Sequence, residues 1–218
     1  MPSGTSGFEI GKNRIEALSD GIFAIVMTLL ILEIHVPDLP AASTNLEVVP
    51  ALLALWPKFA TYFVTFVSLG FFWVAHHIVS HAMRRADRTL LWLNLLFFMF
   101  VSLLPFSTSV LNAFPQAFIA ALFFGTNLAI IGWTLFFQWT YANSQPDMLA
   151  DFASAEYRAT VRSRMLIVPV ATTLTAVFCF WSVGISLAMY LMLLPLYMLP
   201  GQSGRRQPLS NLPTRANG

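Results

Sequence analysis

The chain has 218 residues, of which 57% are hydrophobic and only 10% charged, with a formal net charge of +2 and a mean hydropathy of +0.69. A water-soluble domain carries roughly a quarter charged residues, so this composition excludes a soluble globular protein and puts the mass of the chain in a bilayer. The single cysteine, Cys179, excludes an internal disulfide and any cysteine-based zinc site; in its apolar run it reads as a small buried residue.

A membrane-crossing helix needs about 20 mostly apolar residues. The first candidate runs from Ile15 to Ile34 and holds Ser19, Asp20 and Thr28, with Arg14 at its edge. An Asp inside an apolar span costs a few kcal/mol and normally has a partner. On a helical wheel Ile25, Thr28, Leu29 and Leu32 share one stripe, while Ser19, Asp20 and Phe23 fall on roughly the opposite side. Taken alone, the stripe fits ordinary packing or lipid contact, and Thr28 fits a bond to its own backbone one turn earlier. Lys12 and Arg14 precede a long span with Asp20 in it and no small-residue cleavage site after it, so a cleavable signal peptide is not expected.

Glu33 ends this span, and Asp38 and Glu47 follow in the next connection. The second span runs from Leu55 to Val79 and carries Trp73, His76 and His77 near its end. The third runs from Leu90 to Leu111, with Trp92 and Asn94 in its first turns. Two readings fit these polar groups. Either Trp73, His76, His77 and Asn94 join Asp20 in a buried network that locks three helices, or they are interfacial residues of the membrane boundary. His76, His77 and His81 lack the spacing and the acidic companions of a metal site, so no metal is expected; a pH-responsive role stays open.

The fourth span runs from Pro115 to Tyr141, the fifth from Met165 to Phe180 with a start extending toward Arg158, and the sixth from Val183 to Leu199 after a turn at Ser182–Gly184. Pro105 and Pro169 mark candidate kinks. Residues 1–200 thus form one transmembrane domain, and the Gly-, Pro-, Ser- and Arg-rich residues 201–218 a disordered tail.

Basic residues alternate across the connections. Lys12 and Arg14 precede the first span; Arg84, Arg85 and Arg88 follow the second; Arg158, Arg162 and Arg164 follow the fourth; Arg205, Arg206 and Arg215 follow the sixth. Only Lys58 breaks the pattern. The positive-inside rule then places both termini in the cytoplasm, with Arg84, Arg85 and Arg88 against anionic headgroups.

The run Arg14-x-x-x-Leu18-Ser19-Asp20-Gly21, followed by Phe-Ala-Ile-x-x-Thr-Leu-Leu, resembles the signature of the endolysosomal potassium-leak channel family, in particular its short prokaryotic members. Trp73-x-x-His76-His77 and Asn94 fit the same pattern; Leu18 stands where the family usually has Phe. The resemblance implies an all-α subunit of six transmembrane helices in the cell membrane of a prokaryote. It implies a homotetramer whose first helices line a cation pore without the Thr-Val-Gly-Tyr-Gly filter, which this chain also lacks. Carried onto this sequence, Ile25, Thr28, Leu29 and Leu32 become the pore lining, gate and selectivity residues, and Glu33 and Asp38 the outer mouth. Arg14, Ser19, Asp20, Trp73, His76, His77 and Asn94 become the structural network. K⁺ is the implied permeant ion, passing near Thr28; no cofactor, resident metal or nucleic acid is implied.

Two other classes compete. Asp20, Glu33 and the histidines suit a proton-permeable channel or proton-coupled transporter. A carrier or non-transporting scaffold is the other, and a carrier would favour inverted repeats, which the chain does not display. An enzyme is not expected: no nucleotide loop, nucleophile–base pairing or metal-ligand set can be assembled.

Overall fold

The computed structural model describes residues 12–179 together with Met189, Tyr190 and Met192. Among these residues five helical segments are long and apolar enough to cross a membrane: Arg14–Glu33, Trp56–Ala82, Arg88–Ala113, Phe118–Ser144 and Ala155–Phe178. The expected sixth span, Val183–Leu199, lies outside the described residues except for Met189, Tyr190 and Met192, and the tail 201–218 lies wholly outside them. Tyr190 is buried and packs edge-on against Phe124, with ring centroids 5.6 Å apart.

The first span is helix α1, Lys12–Leu29, which tightens into a 3₁₀ turn over Leu30–Glu33. A short helix α2, Asn45–Leu53, follows where the sequence suggested only a loop. Its start has a chemical cause: the Thr44 backbone N–H donates to Glu47 Oε2 at 2.9 Å, so Glu47 satisfies one of the donors that a helix start leaves open. Helix α3, Trp56–Ala82, takes Pro57 in its first turn, where a missing N–H costs nothing.

The expected third span divides into α4, Arg88–Ser102, and α5, Leu104–Ala113, with the break at Leu103. Pro105 supplies no N–H and its ring crowds the carbonyl one turn back, which accounts for the break. Pro169 is instead absorbed inside an unbroken α7, Ala155–Phe178. That helix begins before Met165, just ahead of the expected extension toward Arg158, and Ser154 Oγ caps it by accepting from the Tyr157 N–H at 3.2 Å.

Helix α6, Phe118–Ser144, is the central pillar and packs against α3, α4, α5 and α7. Its apolar residues are spread around the helix, and it is the most buried of the five spans. Its pairing with α7 is close because α6 presents glycine. A Cβ added at Gly132 would lie 3.2 Å from Pro169 Cα and 3.3 Å from its N. Small residues of this kind let helices approach within a bilayer, where no hydrophobic force drives them together. Side chains add cross-links: Thr65 to Thr108 at 3.3 Å, Asn127 to Ser107 at 3.2 Å, and Trp133 to Thr173 at 3.1 Å.

At one end of the bundle the α3–α4 and α6–α7 connections pair with each other. Met83 and Leu149 form an antiparallel bridge, the Arg84 N–H donates to the Met148 carbonyl at 2.9 Å, and the Ala150 N–H donates to the Ala82 carbonyl at 2.8 Å. This brings Arg84, Arg85 and Arg88 to the same end as Arg158, Arg162 and Arg164, while Lys58 sits near the opposite end of α3. The Arg84–Asp151 ion pair there, at 3.0 Å, is exposed and contributes little.

Gly132→Val tests the α6–α7 contact. The new side chain meets backbone rather than a movable side chain, so the substitution should destabilise the purified protein by about 1–3 kcal/mol, read as a lowered thermal midpoint in detergent.

Candidate functional site

The two faces of α1 meet different surroundings. Ser19, Phe23, Val26 and Leu30 are buried against the rest of the subunit. Ile25 is 60% exposed, Leu32 66% and Leu29 43%, and Thr28 shares their exposed face. Only 22% of the first span's most apolar window is buried inside the subunit, against 61% for the span of α6. A helix this apolar and this uncovered must meet lipid or another protein surface.

The buried face is held by a chain of hydrogen bonds through three helices. Asn94 on α4 donates its Nδ2 to the Leu90 carbonyl at 2.9 Å, which turns its Oδ1 toward His76. His76 Nε2 lies 2.7 Å from that oxygen, so Nε2 carries the proton and donates. Nδ1 is then bare and accepts from Ser19 Oγ at 3.2 Å. The imidazole stacks on Phe97, with centroids 5.1 Å apart and planes 10° from parallel. Phe97 also touches Phe23 of α1, at 6.0 Å between centroids. Sequence reasoning missed Phe97, and no local pattern distinguishes it from the other phenylalanines of α4.

Asp20 takes no part in this buried chain. It lies on the exposed side of α1 and accepts from Trp73 Nε1 at 2.8 Å, a second and separate tie between α1 and α3. Trp73 is itself 40% exposed and has His77 beside it, at 6.1 Å between ring centroids. Arg14 is exposed and makes no hydrogen bond or ion pair with the described residues. Ser19, His76 and Asn94 therefore come together inside the subunit, Asp20 and Trp73 come together at its surface, and Arg14 joins neither group.

The exposed stripe is simple chemically. Ile25 and Leu32 are seven residues apart, which is about 10 Å along a helix. Between them stands Thr28, whose hydroxyl hydrogen is shared between the Ala24 carbonyl at 3.0 Å and the Ile25 carbonyl at 2.8 Å. With the hydrogen committed to the backbone, Oγ1 offers only lone pairs outward, a surface suited to a cation. At the far end Glu33 is half-buried and Asp38 exposed; His35 Nδ1 lies 3.3 Å from the Glu33 carbonyl. No group of three or more His, Cys, Asp or Glu able to hold a metal occurs among the described residues.

Residues 14–105 match the family model described as endosomal/lysosomal potassium channel TMEM175. A Streptomyces collinus protein named as a potassium channel is 46% identical over 102 residues, covering 46% of this chain and 47% of the relative. A Chamaesiphon minutus protein, also named as a potassium channel, is 41% identical over 121 residues, or 54% of this chain and 59% of the relative. The human endosomal/lysosomal proton channel TMEM175 is 40% identical over 112 residues, 49% of this chain and 22% of that protein. The matched segment thus spans about half the length of the bacterial relatives. The crystal structure of a lysosomal potassium-selective channel TMEM175 homolog from Chamaesiphon minutus superposes with a TM-score of 0.75 at 28% identity, covering 85% of this chain and 95% of that one.

The two ties of α1 should differ in worth. Asn94→Leu leaves the buried His76 Nε2–H without an acceptor and should cost about 1–3 kcal/mol. Trp73→Phe removes a donor at an exposed site, where Asp20 can turn to water, and should cost under about 1 kcal/mol. Thermal unfolding of the two variants in detergent checks the order.

Proposed function

Starting from the match of residues 14–105 to the TMEM175 channel family model, we propose that this chain belongs to that family and is a potassium-permeable cation channel whose pore is lined by α1. Four copies surround the axis, each turning Ile25, Thr28, Leu29 and Leu32 toward it. The observation that carries this reading is the uncovered stripe on the least buried span, opposite a face tied by Ser19, His76 and Asn94. Gly21 adds to it: a Cβ there would meet nothing within 4 Å in the subunit, which leaves room for a neighbouring helix.

Ile25 forms the narrowest apolar ring. Such a ring cannot replace an ion's hydration shell, so it blocks by dewetting and conducts when slight rotation or dilation of the helices wets it. Thr28 Oγ1 meets a partly dehydrated ion one turn further out. Potassium sheds water at lower cost than sodium, so weak hydroxyl ligands favour it modestly. Glu33 and Asp38 raise the cation concentration at the outer mouth. Ser19, His76 and Asn94 hold the helix at its working rotation without touching the ion, with Asp20, Trp73, His77 and Arg14 along the same edge. The basic end faces the cytoplasm in a multi-pass arrangement in the cell membrane.

A second reading, proton permeation, is favoured by the names of the mammalian relatives, which are called proton channels. The α1 stripe has no titratable side chain between Asp20 and Glu33, so protons would need a continuous water wire past Ile25. A pH gradient applied without a K⁺ gradient separates the two readings: the potassium reading expects no sustained current.

Ile25→Asn should raise K⁺ flux into proteoliposomes several-fold; unchanged flux removes Ile25 from the constriction. Thr28→Ala should move the reversal potential under opposed K⁺ and Na⁺ gradients toward zero; an unaltered potential removes the Thr28 ring from selectivity.

A further inference from the structure

Beside the basic end of the bundle lies an open cleft of about 560 Å³ between the end of α6 and the start of α7, lined by Asn143, Ala155, Arg158, Ala159, Arg162, Ser163 and Leu166. Ala155 and Ala159 stand four residues apart and leave the space. Arg158 and Arg162 stand at the same spacing, so two positive charges repel across one turn of one helix face. No acidic side chain lines the cleft. Arg158 donates Nε to the Ala153 carbonyl at 2.7 Å, which anchors the side chain and leaves both terminal guanidinium nitrogens without a partner among the described residues. Arg162 has no hydrogen-bond or ion-pair partner among the described residues. The hydrogen of Ser163 is already given to the Thr160 carbonyl at 2.9 Å, so the guanidinium groups and the Asn143 amide are the donors on offer.

The position of the cleft decides what fits these donors. The polar first turns of α7 give way at Met165 to the apolar remainder, and Leu166 closes the cleft on that side. One wall thus belongs to the headgroup layer and the other to the hydrocarbon edge. A phosphate diester with acyl chains matches both walls, whereas free phosphate matches only the arginines. The anionic inner leaflet lies on the side to which the positive-inside rule assigns these arginines.

We propose that this cleft binds the phosphate of one anionic phospholipid, held by Arg158 and Arg162 and seated against Leu166. The bound anion removes the repulsion between the two arginines and clamps the start of α7 to the end of α6. This site is separate from α1 and stands whether or not the pore reading holds.

Native mass spectrometry of the full chain purified in detergent, titrated with phosphatidylglycerol, tests the site. Phosphatidylglycerol should bind, and phosphatidylcholine and inorganic phosphate should not compete at equal concentration. Arg162→Gln should weaken phosphatidylglycerol binding about fivefold, and Arg162→Lys, which keeps the charge but loses the fork, should weaken it less. Arg164→Gln removes the same charge from the same helix outside the cleft and should retain wild-type affinity. Equal losses for Arg162→Gln and Arg164→Gln would reduce the effect to unspecific surface charge and overturn the site. Equal binding of phosphatidylcholine, or full competition by inorganic phosphate, would overturn the lipid assignment.

Discussion

Ser19, His76 and Asn94 must satisfy one another, because a bilayer offers no water to do it. Asn94 is aimed by the Leu90 carbonyl, the imidazole is aimed by Asn94, and the Ser19 hydroxyl is received by the imidazole. Each bond has one workable direction, so the chain fixes the rotation of α1 about its own axis relative to α3 and α4. Phe97 stacked on the ring removes the remaining freedom. Once that rotation is set, Ile25, Thr28, Leu29 and Leu32 have to face away from the subunit.

For the pore proposed above, the rotation of α1 matters more than that of the other helices. An apolar constriction is sensitive to small displacements, since its barrier depends on whether water fills it. A helix rotated by one residue's worth would present Val26 or Ala24 instead of Ile25 and displace the Thr28 oxygen. The Ser19–His76–Asn94 chain and the stripe from Ile25 to Leu32 lie on opposite faces of one helix. The Asp20–Trp73 bond adds a second tie nearer the basic end, at the surface where a neighbouring subunit or lipid would touch it.

The remainder of the subunit supplies a stiff wall behind α1. Helix α6 is the most buried of the five spans, and its glycine contact with Pro169 brings α7 close. The paired connections at Met83 and Leu149 join the ends of α3 and α6 without a sheet of any size. The arginines gathered at that end include Arg158 and Arg162, which line the cleft between α6 and α7.

Composition and hydropathy alone determined that the chain belongs in a membrane, where five of its spans run, and that its arginines gather at one end, because those properties depend on local apolar length and on charge order along the chain. The helical period alone separated Ile25, Thr28, Leu29 and Leu32 from Ser19 and Phe23, since side-chain direction in a helix repeats with its turn; Asp20, which the same wheel put with Ser19 and Phe23, is exposed instead. Partner choice was not legible there. The sequence put Asp20 among the histidines, but the tertiary structure gave the histidine bond to Ser19 and left Asp20 to Trp73, because depth and rotation between helices decide which neighbour lies within about 3 Å. The same holds for the arginine cleft, where Asn143 comes from α6 and the arginines from α7. The Thr44–Glu47 cap and the break at Leu103 have local causes instead, a capping-box spacing and Pro105.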